Sequence, residues 1–249
     1  MSGSDWIGGI HAVAALLDKD PAALLELMIA REARNPRLDE LAAQARAAGI
    51  AVQRAPRATL DRLAAGLRHQ DVLANARVRA AADERDLPAL VSAAGAQALL
   101  LVLDGVTDPH NLGACLRSAA AAGATAVVVP KDRSAPLNAA ARKAAAGGAE
   151  AVPLVRVTNL ARAMEQLRRD GVWIVGLAGE AEQSLYQREL TGPLALVLGA
   201  EGEGMRRLTR EHCDFLVRIP IDAAMESLNV SVAAGICLFE ARRQRGPAA

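Results

Sequence analysis

From residue 98 onward the chain repeats one pattern: a short, almost purely aliphatic run, followed in most cases by a stretch with apolar residues at helical spacing. The runs fall at residues 98–103, 127–129, 152–155, 172–177, 194–198 and 215–219. A strand that is apolar on both sides has to be covered on both sides. Strands alternating with helices therefore predict a parallel sheet between two helical layers. Leu160, Ala163, Met164 and Leu167 share one face of such a covering helix, and Gly171 closes it. Ligands of these sheets sit beyond the carboxyl ends of the strands. The loops that follow the strands are thus where chemistry is expected.

The first 75 or so residues form a separate, smaller α/β pattern. Residues 24–29 read as a buried strand, and Asn35 with Pro36 opens a helix carrying Leu38, Leu41, Ala42 and Ala45 on one face. Gly49 stops it, residues 50–53 read as the next strand, and residues 58–65 as a second helix. Residues 76–86 are polar without a core stripe. The expected division is a first domain over 1–75, a linker over 76–95 and a second domain over 96–249.

Composition narrows the function classes. No apolar run approaches the ~20 residues that cross a bilayer, and the N-terminus lacks the basic-then-apolar pattern of a secretory signal. Cys115, Cys213 and Cys237 are widely spaced, with no C-x-x-C, so neither a disulfide framework nor a zinc site is expected. His11, His69, His110 and His212 have no metal-ligand spacing, and no metal is expected. A reducing cytoplasm fits this cysteine usage. The net charge is only +1 and aromatics are 2% of the chain. An RNA partner would therefore be held by phosphate contacts and shape more than by base stacking.

Three loops stand out. The first follows residue 103 and reads D-G-V-T-D-P-H-N-L-G-A-C-L-R. Asp108 and Pro109 make a turn, a helix is expected to start near Asn111, and Arg117 lies six residues beyond it. Asn111 either caps that helix or faces a cleft with Arg117. The second loop, G-A-E-G-E-G-M, runs directly out of the strand at 194–198. Gly199, Gly202 and Gly204 permit close backbone approach or positive φ. Glu201 and Glu203 disfavour a diphosphate, and the spacing is not G-x-G-x-x-G. An ordinary surface turn is the competing explanation. The third loop, I-P-I-D-A-A-M-E-S-L-N-V-S-V-A, leads from Ile219 into a final helix over 229–243, capped by Ser227 or Asn229. Val230, Ala233, Ala234, Cys237, Leu238 and Ala241 form one apolar face of that helix, and Val232, Ile236 and Phe239 widen it. A helix apolar most of the way round is buried on more than one side, within its own subunit or against a second copy.

Taken together and in order, N-L-G-A-C-L-R, G-A-E-G-E-G-M and S-L-N-V-S-V-A closely resemble the motifs of the SpoU (TrmH) branch of the SPOUT RNA methyltransferases. The resemblance covers residues 98–245, with G-G-I-H-A-V near Gly8 and L-D-R-L around Leu60 supporting it in the first domain. It implies a C-terminal trefoil-knot α/β domain and a small N-terminal α/β domain that resembles a ribosomal protein and binds RNA. It also implies a homodimer and S-adenosyl-L-methionine as methyl donor. The implied reaction is 2′-O-methylation of a guanosine ribose in 23S ribosomal RNA. Asn111 and Arg117 match the functional pair of the first motif, Glu201 the acidic residue of the second, and Ser227 and Asn229 the polar pair of the third. Gly199, Gly202, Ile219 and Leu228 fall among the positions that line the cofactor pocket. The chain departs from the family at Ala223, where I-P-M-x-G is usual, and at Asp71, where H-Q-G-V is usual.

The residue matching Arg117 is the proposed base in this family, but a guanidinium stays protonated with a pKa above ~12. The physically simpler role is to anchor phosphate and stabilise developing alkoxide charge. Competing readings are a transfer-RNA enzyme of the same family and a non-catalytic ribosome-assembly factor that binds RNA. A nicotinamide or flavin oxidoreductase would need a fingerprint after the first strand, which is missing.

Overall fold

Two sheets organise the chain, one in each of two units, Met1–Ala80 and Ala81–Ala249. The computed structural model describes residues 4–77 and 82–246. The first unit runs β1 (Ser4–Gly8), α1 (Ile10–Lys19), β2 (Leu24–Ala30), α2 (Pro36–Ala47), β3 (Ala51–Ala55), α3 (Arg57–Ala64) and β4 (Val72–Arg77). Its sheet has the order β1-β4-β2-β3, with β2 and β3 parallel and the other pairs antiparallel. Asn35 caps α2 by accepting the Arg37 N–H at 3.1 Å, as its position before Pro36 predicts. Leu38, Leu41, Ala42 and Ala45 then pack against Val13, Leu27, Ile29 and Val72. The turn into β4 is held in left-handed backbone at Gln70 (φ 49°) and Asp71 (φ 66°). Asp71 therefore stands where the glycine of the family pattern would be unstrained.

The second unit opens with α4 (Leu87–Ala94) and β5 (Leu99–Asp104), followed by α5 (Pro109–Ala122), β6 (Ala126–Pro130), α6 (Ala139–Ala145) and α7 (Gly148–Ala151). It continues through β7 (Leu154–Val157), α8 (Leu160–Arg169), β8 (Trp173–Leu177), β9 (Leu194–Gly199), α9 (Arg207–Glu211), β10 (Phe215–Val217) and α10 (Val230–Arg245). The six strands lie in the order β10-β8-β9-β5-β6-β7, all parallel. β5 is buried along its whole length because it serves two cores at once. Leu99, Leu101 and Leu103 pack with Leu112, Leu116, Ala234 and Leu238 of α5 and α10. Leu100 and Val102 pack on the other face with Leu87, Val91, Leu160 and Met164 of α4 and α8. At ~1.5–3 kcal/mol for each large aliphatic side chain removed from water, these two layers dominate the stability of the unit.

Four details differ from the sequence reading. The segment expected as a linker over 76–95 contains α4, whose Leu87 and Val91 are buried in the second core. Residues 78–81 of that segment lie outside the described residues. Helix α5 begins at Pro109, two residues before Asn111, because Asp108 rather than Asn111 caps it, accepting the His110 N–H at 3.0 Å. Strand β7 is displaced to Leu154–Val157, since Val152 still hydrogen-bonds back to Gly148 as the cap of α7. Strand β10 stops at Val217, which leaves Ile219 in the loop beyond it.

Candidate active site

Strands β5 and β9 are neighbours in register, and both end at one edge of the sheet, where Asp104 lies opposite Gly199. The chain turns sharply after Gly199. Ala200 and Gly204 exchange backbone hydrogen bonds of 3.1 and 2.9 Å, folding residues 200–204 into a tight hairpin. This hairpin lies directly over the strand end: a Cβ on Gly199 would sit 1.9 Å from the Gly204 carbonyl carbon. Only glycine admits such an approach. Asp104, 1% exposed, fixes the far side of the loop. Its carboxylate accepts the Arg206 N–H at 2.9 Å and the Arg206 guanidinium at 2.6 Å. The sequence reading did not single out Asp104, although an acidic residue closing a purely aliphatic strand is a legible signal for it.

The hairpin presents Glu201 to the first turn of α5 and to the start of α10. Glu201 Oε1 accepts the Asn111 side-chain amide at 3.3 Å, the Asn229 side-chain amide at 2.5 Å and the Val230 backbone N–H at 3.1 Å. Asn229 also donates to Asn111 Oδ1 at 2.9 Å. Its own Oδ1 accepts the Ser231 N–H at 2.9 Å and the Ser231 hydroxyl at 2.6 Å, which caps α10. Each amide thus has its donor and acceptor assigned by a partner. A carboxylate at the first turn of α10 also meets the positive end of the helix. Three loops separated by long stretches of chain are tied together through one oxygen atom.

The other predicted residues stand around this knot of hydrogen bonds without joining it. Arg117 is exposed, and its side chain makes no hydrogen bond or ion pair among the described residues. It lies ~9 Å along the α5 axis from Asn111 and on a different face. Its backbone is crowded by α7, where a Cβ on Gly148 would approach the Arg117 Cα to 2.8 Å. Ser227 is exposed, Leu228 is half-buried, and Ile219 is half-buried against the core. Gly202 takes φ 77° at the tip of the hairpin. The backbone N–H groups of Ile219, Ile221 and Leu228 find no acceptor among the described residues. Ala223 has no positive φ, so its backbone does not call for the glycine usual in the family. Burial, assisted by the Glu201 charge, pushes the Cys115 thiol up to about 12. Burial likewise raises Cys213 to about 12 and pushes Cys237 up. These thiols stay protonated near neutral pH and are poor nucleophiles. Among the described residues no three His, Cys, Asp or Glu side chains gather as metal ligands.

A parallel sheet whose strand ends carry a glycine-crossed hairpin and an amide–carboxylate network defines an α/β protein of the SPOUT methyltransferase class. The chain belongs to the SpoU rRNA methylase family, whose model matches residues 98–239. A second model, for the RNA 2′-O ribose methyltransferase substrate-binding domain, matches residues 6–79. The chain is 58% identical to the 23S rRNA (guanosine-2′-O-)-methyltransferase RlmB of Yersinia pestis, over 98% of both chains. It is 57% identical to RlmB of Escherichia coli K12, over 97% of this chain and 99% of that one. Among solved structures, an AdoMet-bound rRNA methyltransferase from Sinorhizobium meliloti superposes with a TM-score of 0.74 at 26% identity, covering 96% of this chain and 87% of that one. AviRb of Streptomyces viridochromogenes shares the fold, with a TM-score of 0.77 at 23% identity over 97% of this chain and 90% of its own.

Proposed function

We propose that this chain transfers a methyl group from S-adenosyl-L-methionine to the ribose 2′-hydroxyl of a guanosine in 23S ribosomal RNA. The observation that carries this reading is the convergence of Asn111, Glu201 and Asn229 at the carboxyl ends of the central strands. The site's donor set suits the cofactor. The unpaired backbone N–H groups of Ile219, Ile221 and Leu228 offer hydrogen bonds to adenine and ribose. Gly199 and Gly202 leave room for the ligand beside bare backbone. Bound there, S-adenosylmethionine supplies an electrophilic methyl group on a sulfonium centre. Glu201, Asn229 and Asn111 hold the three loops in register so that the acceptor oxygen is positioned rather than searched for. Ser227, two residues before the α10 cap, offers its hydroxyl to the substrate. Arg117, an exposed guanidinium without a partner among the described residues, anchors a phosphate of the target and stabilises charge on the 2′-oxygen as its proton passes to water.

The first unit is the RNA-binding domain in this reading. Arg31, Arg34 and Arg37 around the β2–α2 turn are exposed and, among the described residues, form no ion pair, as phosphate contacts require. A two-domain ribosomal-RNA enzyme is favoured over a transfer-RNA enzyme by coverage. The TrmH/SpoU tRNA-modifying enzyme of A. aeolicus matches only 65% of this chain, against 98% for RlmB of Yersinia pestis. The protein acts as a cytoplasmic homodimer, and the exposed Val232 and Phe239 of α10 supply an apolar face for the second copy. Among the described residues no helix is long and apolar enough to cross a membrane. Mapping 2′-O-methyl groups in ribosomal RNA from cells with and without the gene tests the reading. One guanosine of 23S RNA should lose its methyl group in the deletion, and an unchanged 23S map beside a changed transfer-RNA map would overturn it.

A further inference from the structure

The opposite end of the same sheet carries a second feature. Trp173, Leu194 and Phe215 are the first residues of β8, β9 and β10. They therefore lie at the amino ends of parallel strands, about 17 Å along β9 from Gly199. A cavity of ≈ 330 Å³ opens there, lined by Trp173, Phe215, Arg188, Glu189 and Thr191 among others. That volume is at the small end of the range for ligand pockets. The Trp173 and Phe215 rings stand 5.6 Å apart and tilted by 42°. The Arg188 guanidinium lies 3.2 Å over the Phe215 ring. The chain has only two tryptophans and two phenylalanines, so a meeting of one of each at a cavity mouth is not a by-product of composition.

Two polar features of this cavity lack partners. Arg188 Nε is buried and has no hydrogen-bond acceptor, a state that costs free energy unless something completes it. Thr191 engages one oxygen of the Glu189 carboxylate at 2.6 Å, while Oε2 accepts no bond among the described residues. Trp173 is 55% exposed, the face of a large apolar ring left to water. An aromatic face with an unfilled donor and an unfilled acceptor in the same cavity complements a planar ring with a hydrogen-bonding edge. We propose that this cavity binds an unstacked nucleobase, with Trp173 as the stacking platform and Arg188 and Glu189 reading the base edge. The site is distinct from the methyl-transfer site and would hold either a base splayed out of the RNA substrate or a free nucleotide.

The test uses the full chain with Trp6→Phe, so that Trp173 alone reports emission. It is titrated with a mixed-sequence single-stranded RNA tetranucleotide and, separately, with nucleoside 5′-monophosphates. Saturable quenching of Trp173 by either is expected, and which of the two binds more tightly identifies the source of the base. Arg188→Ala should weaken binding at least about fivefold, in line with the loss of one base contact. Trp173→Ala, followed by calorimetry, should do the same. Absence of quenching by both ligands overturns the proposal, as does binding that survives both substitutions. Quenching that follows protein concentration alone also overturns it and marks the cavity as a protein contact. S-adenosylmethionine binding and methyl transfer are measured in parallel on the Trp173→Ala protein. Both should persist, so loss of the cavity hypothesis leaves the assigned reaction standing, and loss of the reaction would be seen independently in the unsubstituted enzyme.

Discussion

Asn111, Glu201 and Asn229 satisfy one another, whereas the Arg117 side chain has no partner among the described residues. On the proposed reading, that contrast separates residues that build the site from one available to touch substrate. Arg117→Ala should lower turnover by about a hundredfold or more, the usual loss when one stabilising donor is removed. Its S-adenosylmethionine affinity by calorimetry should match the parent, since no described residue hydrogen-bonds or ion-pairs with the guanidinium. Asp71 carries a different message. Its φ of 66° is backbone that glycine adopts freely and aspartate at a cost, and its Oδ1 is buried without a hydrogen bond, 3.5 Å from Arg57. Asp71→Gly should therefore raise stability by about 1 kcal/mol in urea unfolding. Glu240 gives a pH signature. Hydrogen bonds from Arg243 and Gln244 hold its carboxyl down at about 2. A carboxylate depressed in the folded state stabilises above its unfolded pKa and loses that contribution as pH falls through the folded value. The stability gap between the parent and Glu240→Gln should be constant above about pH 5 and close between there and pH 2.

At the scale of elements, α10 is the informative helix. Its Val230, Ala234, Cys237, Leu238 and Ala241 are buried in the core, yet Val232 and Phe239 are 51% and 48% exposed on another side. If α10 seats the proposed second copy, Phe239→Asp should shift sedimentation at micromolar concentration from dimer to monomer, while the unfolding midpoint at high protein dilution changes little. The elements differed in how readily they could be read beforehand. Strands β5 and β9 announce themselves because burial on both faces permits nothing but aliphatic residues. Helix α8 is equally plain from its four buried positions. Strand β1 is not: five residues, Ser-Asp-Trp-Ile-Gly, become a strand only because β4, almost seventy residues later, pairs with them. Helix α4 was hidden by the charged run before it, and its role as a cover for β5 depends on a neighbour, α8, that sequence spacing does not point to. The site was legible as three motifs, but not as a network. Which oxygen joins them, and that Asp104 clamps the hairpin from beneath, follows from strand register rather than from residue type. Arg117 and Ser227 were legible as family positions; Arg117 stands apart from the network through helix phase, and Ser227 lies in the loop before α10.

At the scale of the whole molecule, a division of labour follows from the two units, each with its own sheet and core. A fragment spanning residues 82–249 should fold, because its two cores draw on no residue of the first unit. It should bind S-adenosylmethionine with near-parent affinity and lose at least tenfold in affinity for 23S-derived RNA, measured by filter binding at fixed salt. Equal RNA affinity in fragment and full chain would remove the first unit from substrate recognition. The hydrogen bond between Asn229 and Asn111 spans 118 positions, and that between Asn111 and Glu201 spans 90. A ribosome extrudes this chain from the amino end, so a nascent polypeptide that has emerged as far as Glu211 already holds five of the six strands of the larger sheet. It still lacks the last donor that ties the loops. On the proposed reading, competence arrives only with the final helix, and an unfinished copy on its own ribosome should not yet transfer methyl groups.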